Sequence, residues 1–199
     1  MTILGLSGSI ASGKSTVSKM FVELGAYLID WDKLGHDVML PNQSAWKAVV
    51  EYFGKEILNE DQTINRPVLG QKVFNKPEEL QKLNQLVHPE IYKEDERLAN
   101  KIRSEYPNAV IVKDIPLLNP DMKKVFDMIL VVFANEKNQI KRLAERGFDQ
   151  VEAIKRIKAQ PPIEEKMEIA DFIIYNDGSL DETKRQVEKI YTTLTSEKE

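Results

Sequence analysis

The sequence predicts an α/β fold, with helices on both faces of a parallel sheet. Three observations predict it. Short apolar runs alternate with helical periodicity along the 199 residues. The first apolar run, around Ile3, Leu4 and Leu6, breaks into the glycine- and serine-rich stretch GLSGSIASGKST, residues 5–16, and restarts as a helix. The composition, 42% hydrophobic and 30% charged, is that of an ordinary globular chain with a substantial core.

The elements follow in order. Val17, Met20, Phe21 and Leu24 recur at i, i+3, i+4 and i+7, the apolar stripe of a first helix. Gly25 reads as its C-cap, and Ala26 to Ile29 as a second strand. From Leu34 to Tyr106 the pattern is mostly helical, with FGKEILNEDQTINRP reading as turns. Within it, Pro77 and the pair His88-Pro89 each read as a helix start, with Pro in the first turn. Strands return at residues 109–114 and 128–134. A basic helical segment follows, interrupted at Gly147 and ended by Pro161-Pro162. A last strand, Phe172 to Ile174, leads to a helix with Leu180, Val187, Ile190, Tyr191 and Leu194 inward. This divides the chain into a core of residues 1–33 and 107–199, a helical insertion of residues 34–106, and a smaller basic block of residues 136–166 within the core.

The first turn carries the chemistry. Gly8, four residues, Gly13, Lys14 and Ser15 match the phosphate-binding loop G-x-x-x-x-G-K-[ST], between a strand and a helix as that motif requires. Free amides of the first helical turn and the helix dipole favour an anion there. The residues expected at the nucleotide are Gly8, Ser9, Ile10, Ala11, Ser12, Gly13, Lys14, Ser15 and Thr16. Lys14 can reach the β- and γ-phosphates of a nucleotide, and the Ser15 hydroxyl can sit on Mg²⁺. Asp30-Trp31-Asp32 follows the second strand, where ligands of open α/β sheets bind. We expect Asp32 to orient or deprotonate an attacking hydroxyl, and Asp30 to cap a helix or join a metal shell. Arg142 and Arg146, at i and i+4 in the basic block, suit a lid that closes over phosphates.

Composition narrows the class. Lys and Arg number 28 against 32 Asp and Glu, a net charge of −4, which argues against a general nucleic-acid binder. The absence of Cys excludes disulfides and Cys-ligated zinc. No apolar run is long enough to span a bilayer, and the chain opens directly on a strand and the loop. The expectation is a soluble cytoplasmic enzyme acting on small molecules, without nucleic-acid or membrane partners; its oligomeric state is left open.

Taken together, the motifs resemble the dephospho-CoA kinase family nearly end to end. The resemblance rests on GLSGSIASGKST, Asp30-Trp31-Asp32 with His36, FGKEIL, and Asn65-Arg66 through Val73-Phe74. It continues through Leu86-Val87-His88-Pro89, Asp114-Ile115-Pro116-Leu117-Leu118 and Gln139-x-x-Arg142-Leu143-x-x-Arg146. Arg156, Gln160, Ala170-Asp171 and Asn176-x-Gly178-Ser179 complete it. It implies a three-layer P-loop NTPase fold with a helical substrate-binding insertion and a basic lid. It implies transfer of the γ-phosphoryl of ATP to the ribose 3′-hydroxyl of dephospho-CoA, with Mg²⁺. It implies Asp32, Lys14 and Arg142 as catalytic, Arg146 and Asn176 at the nucleotide, and Asp114 beside Ser15 at the metal. Asp32, His36, Arg66 and His88 would hold the acceptor. The sequence departs from the family pattern at Ser9 and Ala11, where glycines are usual, and at Trp31, Tyr92 and Asn119-Pro120. Ser9 and Ala11 are expected to be tolerated there if their backbone angles are ordinary.

Two rival readings share the loop. Another small-metabolite or nucleotide kinase would differ in residues 34–106. A GTP-dependent switch would need a guanine-reading Asn-Lys-x-Asp, and the only near miss is Asn75-Lys76-Pro77-Glu78 inside the helical insertion.

Overall fold

The computed structural model describes residues 1–116, 118 and 120–196. Leu117 and Asn119, which fall in two of the quoted stretches, lie outside the described residues. Five strands, β1 (Thr2–Gly8), β2 (Tyr27–Asp30), β3 (Val110–Asp114), β4 (Met128–Phe133) and β5 (Phe172–Tyr175), form one sheet in the order β2-β3-β1-β4-β5. Neighbours β3, β1, β4 and β5 run parallel, with Leu6 opposite Asp114 on one side and Leu130 on the other. The helices are α1 (Lys14–Glu23), α2 (Trp31–Asp37), α3 (Ser44–Phe53), α4 (Arg66–Val73) and α5 (Pro77–Glu105). They continue with α6 (Glu136–Glu145), α7 (Gln150–Lys158), α8 (Ile163–Glu168) and α9 (Leu180–Ser196).

The chain divides into two compact units. The first comprises Met1–Ile29 and Ile102–Glu199, with the bulk of the sheet. Its strands are continuous apolar runs because both faces are covered. On one face Leu4, Leu6, Val112, Leu130, Val132 and Ile174 pack against Val17 and Phe21 of α1 and Val187, Ile190 and Leu194 of α9. Strand alternation turns Gly5 and Ser7 the other way, where α8 lies against β1 and β4 and Phe126 sits over Gly5, 2.9 Å from where a Cβ would stand. The second unit, Asp30–Lys101, has its own core of Val38, Ala45, Val49, Phe53, Ile57, Ile64, Leu69 and Val87.

Four expectations need correction. Pro89 does not start a helix: it lies inside α5. Val87 is buried in the second core, and Leu83, Leu86 and Ile91 pack against it, so packing on both sides of Pro89 carries the helix past the lost backbone bond. Pro161-Pro162 ends α7 but is followed by a further helix, α8, with Pro162 as its N-cap. Leu180 is 65% exposed at the first position of α9, while Val187, Ile190 and Leu194 are buried as expected. Ala11 does not keep an ordinary angle: its φ is 55°, the left-handed region that glycine favours.

Candidate active site

The loop is built by backbone geometry before any side chain enters. β1 ends at Gly8, where a Cβ would stand 2.6 Å from Ser12 Oγ and 2.7 Å from the Val132 carbonyl, so only glycine fits. Gly13 caps α1 at φ 95° and offers no side chain, and its carbonyl accepts from the amides of Thr16 (2.9 Å) and Val17 (3.1 Å). The N-terminus of α1 therefore has no side-chain acceptor of its own, which leaves the positive end of its dipole for an anion. Ser12 Oγ is buried with no hydrogen-bond partner.

Four side chains from distant parts of the sequence hold this loop. Gln139 Nε2 donates to Ser9 Oγ at 2.6 Å, and the Ile10 amide donates to Gln160 Oε1 at 2.7 Å. The Arg142 guanidinium donates to the carbonyls of Ala11 (3.1 Å), Ser12 (2.9 Å) and Asn176 (2.6 Å). Asn176, buried, donates from Nδ2 to the Ser12 carbonyl at 2.8 Å and accepts from Thr183 Oγ1 at 2.8 Å. Beneath them Ala11 packs with Leu143 and Ala153, flanked by Ile10, Ile140, Phe148 and Ile157. The basic block is thus docked on the loop through an apolar cluster. Arg142 grips loop carbonyls, whereas Arg146 is exposed at the C-cap of α6. A cleft of about 430 Å³ opens beside these contacts, lined in part by Ser9, Phe133, Gln139, Ile157 and Gln160.

The charges converge on the loop. Lys14 forms an ion pair with Asp114 at the end of β3. Lys166 is buried on the far side of β1, its ammonium directed at Gly8 O (3.2 Å) and Ser7 Oγ (3.4 Å). Burial, with the nearby Lys14 ammonium, holds its pKa below the usual lysine range. Ser15 is exposed in the first turn of α1. Its hydroxyl and the Asp114 carboxylate are hard oxygen donors of the kind Mg²⁺ takes alongside substrate phosphates, so the donor chemistry fits that ion. Among the described residues, no group of three or more His, Asp or Glu could hold a metal alone.

In the second unit, Asp30 is the helix cap: its Oδ1 accepts from the Lys33 amide at 3.0 Å. That leaves Asp32, exposed in the first turn of α2, as the carboxylate without a capping duty, with His36 one turn on along the same helix. Trp31 is anchored by a 3.0 Å bond from Nε1 to Asp95 Oδ1 and meets the Tyr92 ring edge-on at 5.5 Å. Tyr92 in turn meets the His88 ring at 6.1 Å, so two departures from the family pattern pack on each other beside an expected acceptor residue. Arg66 is exposed as the first residue of α4, behind an Asn65 cap.

Lys166 and Thr183 escaped the sequence reading. Lys166 stands among glutamates in a short polar segment, and nothing local marks it as buried. Thr183 reads as an ordinary surface position on an amphipathic helix. Gln139 and Gln160 were visible only as members of the family resemblance.

The sequence profile of the dephospho-CoA kinase family matches residues 2–182. A dephospho-CoA kinase of Syntrophus aciditrophicus is 42% identical over 196 residues, covering 98% of this chain and 83% of its own. One of Carboxydothermus hydrogenoformans is 44% identical over 191 residues, covering 94% and 91%. The solved dephospho-CoA kinase of Campylobacter jejuni superposes with a TM-score of 0.74 at 26% identity, covering 99% of this chain and 98% of its own. Sequence and fold agree along nearly the whole length of the chain, which belongs to the dephospho-CoA kinase family.

Proposed function

We propose that this chain transfers the γ-phosphoryl group of ATP to the ribose 3′-hydroxyl of dephospho-CoA, giving CoA and ADP, the last step of coenzyme A biosynthesis. The observation that carries the reading is a family match from residue 2 to residue 182 that begins on an intact phosphate loop. In the reaction a bond forms between the acceptor oxygen and the γ-phosphorus. The bond from that phosphorus to the β,γ-bridging oxygen breaks, and the hydroxyl proton leaves to a base or to water.

The residues divide this work. Amides at the start of α1 cradle the donor phosphates, and Lys14 exchanges its Asp114 partner for phosphate oxygens. Asp32 orients the acceptor hydroxyl and takes its proton. Ser15 and Asp114 would hold Mg²⁺, which when bound neutralises the β- and γ-oxygens. Arg142 holds the loop carbonyls so that the loop amides face the phosphates, and Arg146, on the open side of α6, supplies charge to the nucleotide. Asn176, the residue after β5, supports the loop. His36, Arg66 and His88 hold the acceptor.

The enzyme works in the cytoplasm on small molecules, without nucleic acid; among the described residues no helix is long and apolar enough to cross a membrane. A coupled ADP-release assay with dephospho-CoA, AMP, CMP and shikimate as acceptors tests the reading. Turnover is expected with dephospho-CoA alone. Faster turnover with another acceptor would overturn it.

A further inference from the structure

We infer that Lys166 is a positioning residue for the donor phosphates, acting through the end of β1 and the loop that follows β3. The inference rests on the nucleotide-binding reading of the phosphate loop. α8 is a six-residue helix whose three glutamates, Glu164, Glu165 and Glu168, are exposed, while its one lysine is turned inward and only 8% exposed. That is the reverse of the arrangement that minimises desolvation.

The acceptors explain the cost. Lys166 Nζ donates to Gly8 O at 3.2 Å, Ser7 Oγ at 3.4 Å and Pro116 O at 3.5 Å. All three are neutral, and among the described residues no carboxylate pairs with this ammonium. Gly8 is the first residue of the phosphate motif, and Pro116 lies two residues beyond Asp114, the partner of Lys14. One ammonium therefore ties the segment that carries the loop to the segment that carries the Lys14 partner. A buried cation with no counter-ion among the described residues, and a second cation close by, is offset best by an anion arriving at the same place. A polyphosphate on the loop is such an anion. Lys166 then contributes twice: its bonds fix the spacing of two strand ends, and its charge favours the polyphosphate from behind the loop without touching it.

The test compares Lys166→Met, which keeps most of the volume, with Lys166→Arg, which keeps the charge. Calorimetry with ATP, AMP and inorganic tripolyphosphate, without acceptor, is run beside thermal melting and steady-state kinetics. Lys166→Met is expected to weaken ATP and tripolyphosphate binding about tenfold or more, the effect of one charge through a partly screened interior. AMP binding and the KM for dephospho-CoA should move less than about twofold, well under that charge effect. Lys166→Arg should recover most of the lost affinity. ATP affinity within about twofold of wild type in folded Lys166→Met would overturn the inference. So would an Arg variant as impaired as the Met variant, which would mark a packing role alone. If Met prevents folding, Lys166→Gln takes its place under the same criteria. Because binding is read without acceptor, a wild type that binds ATP but does not phosphorylate dephospho-CoA would refute the proposed function and leave this inference standing.

Discussion

Gly13 and Asn176 offer a double-mutant cycle whose outcome follows from the structure. Asn176 makes two buried side-chain bonds, to the Ser12 carbonyl and from Thr183 Oγ1. Neither partner is orphaned by Asn176→Ala. The Ser12 carbonyl keeps Arg142 Nη1 at 2.9 Å, and Thr183 Oγ1 keeps the Ser179 carbonyl at 3.2 Å. The cost is then two ordinary bonds, about 2 kcal/mol in all, without the larger penalty for a stranded polar group. Gly13→Ala meets Asn176 head-on: its Cβ would lie 2.0 Å from Nδ2, at a φ of 95°. It must expel the amide, at the same cost of about 2 kcal/mol, and it adds about 1 kcal/mol or more of left-handed strain.

In an Asn176→Ala background the clash is gone, because the next atom, Arg142 Nη1, is 3.6 Å away, an ordinary contact. Gly13→Ala should then cost only its strain. The double mutant is expected to lose about 3 kcal/mol where the single losses sum to about 5, a coupling of about 2 kcal/mol. Urea unfolding of the four proteins without nucleotide measures it, with unchanged m-values as the check on two-state behaviour. Losses that add to within about 0.5 kcal/mol would show that Asn176 does not occupy the space beside Gly13, and would refute the reasoning.

Three further outcomes are expected. Lys14→Ala should abolish phosphoryl transfer in an ADP-release assay while leaving the circular-dichroism spectrum unchanged; near-normal turnover would remove Lys14 from the chemistry. Asp32→Asn should lower kcat by about 10²-fold, the lower end of general-base effects, with ATP affinity unchanged; a loss under about threefold would make Asp32 structural. Glu182 reciprocates the Ser179 cap of α9, and the Ser179 amide and hydroxyl hold its pKa below the usual carboxylate range. A lowered folded-state pKa means stability present above the unfolded value and lost as pH falls through the folded one. The advantage of wild type over Glu182→Gln should therefore be full above about pH 5 and shrink in acid; an advantage that grows in acid would contradict the capping role.

What could be read from the sequence was what is local. The phosphate loop is contiguous, and each core strand is an apolar run bounded by turns, so both were legible. Pro89 was misread because the preference of Pro for a first helical turn is a local rule, and the buried side chains on either side of it are not visible locally. For Asp30 the sequence offers two roles, and the Lys33 amide on its carboxylate shows the capping one. The loop's supports were hidden for the same reason: Gln139, Arg142, Gln160, Lys166 and Asn176 lie more than a hundred residues from the loop atoms they hold. Only closure of the sheet brings them there.

Those supports also account for the departure at Ala11. A left-handed alanine costs about 1 kcal/mol or more that a glycine would not. Its methyl is buried with Leu143 and Ala153, and its carbonyl accepts from Arg142. Glycine would relieve the angle, but it would leave a gap in that cluster and a more flexible loop to order when phosphate binds. Alanine therefore moves part of the ordering cost from ligand binding to folding, where the basic block contributes the compensating contacts. This couples the two segments physically. The residues that close the apolar cluster under Ala11 are on α6 and α7, the helices expected to form the lid. Displacing those helices would remove the contacts that hold Ala11 in its unfavourable angle. The loop and the basic block are in this sense one element, because the contacts that hold Ala11 at its angle come from the block.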